Sequence, residues 1–144
     1  MAVIVALLPG CSLTEARHFG VSRPSVDSLE VWFVNCNAAP SSVSLYDVTS
    51  DEAIWLITDR GQDPEKFPDS LLVGEVAPGF RIAEALQRPP PENEELRLNF
   101  GRGEAYSESL TFRVADLPAD GSILAFDGQV MTPDEFTGQG CSDE

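Results

Sequence analysis

Two short runs decide the fold class before anything else is counted. Leu96, Leu98 and Phe100 alternate with Arg97 and Asn99, and Leu110, Phe112 and Val114 alternate with Thr111 and Arg113. Apolar residues at every second position share one face of an extended strand, because successive side chains point to opposite sides of the pleat. A helix cannot gather that spacing into one stripe. The signature recurs upstream: Leu29, Val31 and Phe33 against Glu30 and Trp32, then Val43 and Leu45 against Ser44 and Tyr46. Residues 54–57 are apolar on both faces, which predicts a central strand. Residues 71–76, Phe80 and Ile82 about Arg81, and residues 123–126 supply further runs, although 82–87 also reads as one turn of helix.

Between the runs stand turn formers, among them Ala39-Pro40-Ser41-Ser42, Asp59-Arg60-Gly61, Ala77-Pro78-Gly79 and Ala119-Asp120-Gly121. The triple proline at 89–91 reads as a stiff loop, and Gly101 to Ser109 as a long hairpin connection. About seven to nine short strands with such punctuation predict an all-β fold, an antiparallel β-sandwich immunoglobulin-like in topology. Trp55 lies between Cys36 and Cys141, but Cys141 falls after the last strand, so the likeness is one of topology alone. Residues 28–144 are assigned to this domain. Residues 12–27 are polar with no sustained period and read, with Cys11, as a flexible tether over 11–27.

The chain of 144 residues has room for one domain. Its net charge of −15 falls entirely after Cys11. Such a surface repels phosphates and anionic headgroups, which excludes nucleic acid as a partner and leaves solubility, cations or a basic partner. Lys66 is the only lysine among nine basic residues. With abundant Ala, Gly and Pro, this points to a GC-rich genome.

At the N-terminus, residues 2–8 read AVIVALL, followed by Pro9, Gly10 and Cys11. A membrane-spanning helix needs about 20 apolar residues, so this run is too short to span. It has the length of a short signal-peptide apolar region. It could otherwise be a buried strand capped by a Pro-Gly turn. Leu8-Pro9-Gly10-Cys11 resembles the lipobox of bacterial lipoproteins: an apolar residue at −3, a small residue at −1 and an obligatory cysteine. The resemblance covers residues 1–11 only, and Pro9 departs from the favoured pattern. It implies that residues 1–10 are a signal peptide, that Cys11 is acylated on sulfur after cleavage, and that the protein is exported and lipid-anchored at the extracytoplasmic face of the cell membrane. A signal peptide opens with Lys or Arg; none is present here, so its N-terminal part is expected to be truncated. The layout resembles that of small lipoproteins of GC-rich Gram-positive bacteria.

With Cys11 given to lipid, Cys36 and Cys141 remain as an even pair, and in an oxidising compartment the resemblance implies a disulfide between them. Closing a loop of about 100 residues would contribute about 4–5 kcal/mol in the chain-entropy model. The alternative is two free thiols. A nucleophilic thiol needs a base, and the single histidine, His18, stands in the tether.

No serine-hydrolase elbow, zinc spacing or nucleotide loop is present; Gly101-Arg102-Gly103 reads as a turn. No catalytic residue, metal site or cofactor is therefore assigned. Asp47, Asp51 and Glu52, or Asp59 and Asp63, supply loop oxygens for calcium, without the spacing of a calcium loop. Trp32, Trp55 and Tyr46 are read as core rather than as a ligand platform. The expected function is a lipid-tethered binding or interaction module, not an enzyme, facing an envelope protein or polymer. The alternatives are an envelope hydrolase with a carboxylate-only active site and a structural accessory of a membrane complex. A polar cleft with close acidic groups would favour the hydrolase.

Overall fold

The computed structural model describes residues 19–34, 40–60, 67–102 and 106–139. These form ten strands in two five-stranded antiparallel sheets packed as a sandwich. The strands are β1 (Phe19–Ser25), β2 (Ser28–Phe33), β3 (Ser42–Asp47), β4 (Glu52–Asp59) and β5 (Ser70–Leu72). They continue with β6 (Phe80–Glu84), β7 (Leu96–Arg102), β8 (Tyr106–Phe112), β9 (Ile123–Ala125) and β10 (Val130–Met131). Sheet A has the order β10-β9-β1-β2-β5, and sheet B the order β6-β4-β3-β7-β8. A 3-10 turn (Val114–Asp116) leads from β8 toward β9, and a short helix, α1 (Pro133–Thr137), closes the described chain.

The alternating runs bury the faces expected of them. Leu29, Val31, Phe33, Val43, Leu45, Leu96, Leu98, Phe100, Leu110, Phe112 and Val114 are all in the core. Phenylalanine rings join the two sheets. Phe19 of β1 meets Phe100 of β7 with centroids 4.4 Å apart, and Phe33 of β2 stacks on Phe100 at 5.7 Å. Phe67, from the connection between β4 and β5, sets its edge against Phe33, Phe80 and Phe100. Tilted and edge-to-face pairs of this kind add to the burial energy of the rings. Trp55 is fully buried on β4, an interior strand as its two-sided apolar pattern predicts.

Three expectations are corrected. The domain does not begin at residue 28. β1 lies inside the stretch read as tether, yet it sits between β2 and β9, with Phe19 and Val21 in the core. Gly20 and Pro24 interrupt its pattern, and the ladder accepts Pro24 through a register shift between Ser22 and Ser25. The β7–β8 connection is short, because the ladder runs on to the pair Arg102 and Tyr106. Ile82 is exposed, since only Phe80 of β6 turns into the core. The outer face of sheet A, unassigned from sequence, is covered by α1. Phe136 is fully buried there with Ile123, Ala125 and Met131, against Trp32 and Val34. Thr132 caps α1 in a reciprocal capping box with Glu135, and Pro133 opens the helix.

Candidate functional site

The β3–β4 hairpin builds one side of a groove of about 260 Å³ at an end of sheet B. Asp47, at the end of β3, fixes the turn: its Oδ1 accepts the N–H of Thr49 at 2.9 Å and of Ser50 at 3.4 Å. Its carbonyl accepts the N–H of Asp51 at 2.7 Å. Asp51 takes a left-handed φ of 59°, a conformation that aspartate tolerates better than most residues. This tight turn brings Asp47 and Glu52 opposite one another as register partners. Ala53 and Ile54 continue the wall with apolar surface.

The facing wall comes from β6 and the loop after it, with Glu84, Gln87, Arg88 and Pro91. The proline run at 89–91 stiffens that loop. Two pairings tie the surroundings down. Arg97 reaches Asp51 at 3.5 Å and lies 5.5 Å over the Tyr46 ring, which turns Asp51 to a structural pairing. Arg23 of β1 bridges to Glu92 at 2.8 Å, fastening the β6–β7 loop to sheet A. The groove thus offers the carboxylates of Asp47, Glu52 and Glu84 and one guanidinium beside the apolar surface of Ala53 and Ile54. Such a rim favours a ligand with positive or hydrogen-donating groups on a small apolar body.

All three cysteines and the single histidine fall outside the described residues. The expected acylation site Cys11, the expected Cys36–Cys141 bridge and His18 are therefore not placed. Of the calcium candidates, Asp47 and Glu52 come together in the groove, Asp51 turns to Arg97, Asp59 ends β4, and Asp63 lies outside the described residues. Among the described residues no group of three or more His, Cys, Asp or Glu is placed to hold a metal ion, and no helix is long and apolar enough to cross a membrane. Glu84, Gln87 and Arg88 are groove residues that the sequence alone does not reveal. Nothing local marks them, since the wall exists only once β6 pairs with β4.

Fold and groove together define a two-sheet antiparallel β-sandwich with an acid-rimmed cleft at one end of sheet B. No family model matches the chain, and no curated protein and no solved structure matches it.

Proposed function

We propose that this chain is a membrane-anchored lipoprotein of the extracytoplasmic face, acylated at Cys11, whose β-sandwich is a binding or interaction module for an envelope protein or polymer. The observation that carries this reading is Leu8-Pro9-Gly10-Cys11 at the end of an uncharged apolar run. The position of β1 shortens the tether that the reading requires. From Cys11 to Phe19 the chain reaches at most about 25–30 Å when fully extended. The anchored sandwich would stand close to the membrane, held off anionic headgroups by its own negative charge. The order β1-β2-β5 against β4-β3-β7-β8 also supports an immunoglobulin-like core, with β6, β9 and β10 added at the edges.

The test is expression of the full gene in a Gram-positive bacterium. The mature protein is expected in the membrane fraction with an acyl mass on residue 11, and Cys11→Ala is expected in the soluble fraction. A Cys11→Ala chain that stays with the membrane, with no lipid on the unaltered protein, overturns the reading.

A second reading has its own observation. The carboxylates of Glu52 and Glu84 in one groove are the material of a carboxylate-only hydrolase. Hydrolysis of an envelope glycan that disappears in both Glu52→Gln and Glu84→Gln would favour it over the binding module.

A further inference from the structure

Sheet B ends on β8, and that edge is built unlike the other three. The edges of sheet A are β10, of two residues, and β5, of three. The other edge of sheet B, β6, meets β4 through a register shift and exposes Arg81 and Glu84. Short length, bulges and charge are the usual means by which a sheet edge is kept from pairing with another chain. β8 has little of this protection. It runs seven residues, pairs with β7 without a register shift, and contains no proline or lysine and the single acid Glu108. Among the described residues no strand lies on its outer side.

We infer that β8 is an interaction edge whose partner is β8 of a second copy of this chain, paired antiparallel with Ser109 on the two-fold axis. The strand fits itself in that register. A two-fold axis through one residue pairs even positions with even and odd with odd, so both copies keep their faces. Leu110 and Phe112 stay on the core side, and the exposed Ser109 and Thr111 stay on the solvent side. All seven residues of β8 take part. Glu108 falls opposite the partner's Leu110, so the carboxylates do not meet. An axis through Glu108 would oppose them directly, and like charges facing one another across a ladder are destabilising. A half-residue shift would exchange the faces of every side chain. The opposing force is the net charge of −15 on each copy. Salt screens that repulsion, so the dimer tightens as salt rises, the reverse of an interface held by ion pairs. The inference does not depend on acylation of Cys11.

Sedimentation equilibrium of the full chain at low and high salt tests it. The expected result is a dimer whose dissociation constant falls about tenfold between about 50 mM and 500 mM NaCl. Ser109→Lys sets two ammonium groups face to face at the axis. It should raise the constant by about tenfold or more while leaving the circular dichroism unchanged. Ser109→Cys should give on oxidation a dimer in which mass spectrometry finds residue 109 linked to residue 109. Thr111→Cys, two positions off the axis, should not link to itself. A monomer under all conditions overturns the inference. So does a dimer that survives Ser109→Lys, or one that cross-links as well through Thr111→Cys.

Discussion

Gly20 sits where two strands come too close for a side chain. A Cβ there would stand 2.6 Å from the Leu124 carbonyl oxygen and 2.7 Å from Cγ2 of Ile123. The first of these is backbone and cannot swing away. Gly20→Ala is therefore expected to push β9 from β1 and to cost about 1–3 kcal/mol, read as a lower denaturation midpoint in urea; an unchanged midpoint would show that the approach is looser than described. Phe100 holds a different kind of position, with Phe19, Phe33 and Phe67 all against its ring. Phe100→Ala should cost about 3–5 kcal/mol, because rings from sheet A and from the β4–β5 connection would face one cavity. Asp120 acts only locally. Its carboxylate accepts the N–H of Ser122 at 2.9 Å, and that bond, with a further one from the Ser122 side chain, holds it below the usual carboxylate range. A depressed folded value stabilises the fold above the unfolded value, and the contribution is lost as pH falls through the folded one. Asp120→Ala should thus lower the melting temperature slightly at neutral pH, and the difference should vanish in strong acid.

At the scale of elements, the alternating strands could be read from sequence because one face of each is wet and the other dry. β7 and β8 are the clearest, with Leu96, Leu98 and Phe100 buried and Arg97 and Asn99 turned away. β1 could not be read that way. Phe19, Gly20, Val21 and Ser22 are buried in succession, so there is no alternation to find, and Pro24 suggests a loop. α1 was missed for the opposite reason, since five residues are too few to show a period. Its capping box, Thr132 to Glu135 with Pro133 after the cap, was present in the sequence as a local signal. The groove was half visible: the carboxylates of the hairpin stand together in sequence, whereas the opposite wall is tertiary. Because α1 roofs Trp32, with Phe136 edge-on at 6.2 Å, Phe136→Ala should shift Trp32 fluorescence to the red while the buried Trp55 keeps a blue emission; emission unchanged in the variant would mean that α1 does not shield the ring. The same roof bears on the expected disulfide. Val34, two residues before Cys36, packs in the Phe136 cluster, and Gln139, two before Cys141, donates its backbone and side-chain N–H to the Phe136 carbonyl. The described residues nearest the two cysteines, Val34 and Gln139, thus both lie beside Phe136. Thiol labelling of denatured, unreduced protein from the exported fraction is expected to find Cys36 and Cys141 blocked; two reactive thiols would count against the bridge.

For the whole molecule, charge is the property that most departs from the ordinary. A net charge of −15 on one sandwich makes self-repulsion a standing cost of compactness. At high dilution, where the chain is monomeric, the melting temperature is expected to rise by about 2–5 °C between about 20 mM and 300 mM NaCl. A fall would mean that ion pairs such as Arg23–Glu92 outweigh the repulsion. The placing of β1 has another consequence, one of timing. Its neighbours are β2, which follows at once, and β9, which follows only after roughly a hundred further residues have been made. As the chain emerges N-terminus first, β1 can form a hairpin with β2, but its other side stays open until nearly all of the sequence is out. Loop closure over that distance is slow compared with closing a local turn. A growing chain of this topology therefore cannot complete sheet A until β9 has been made, however early sheet B forms.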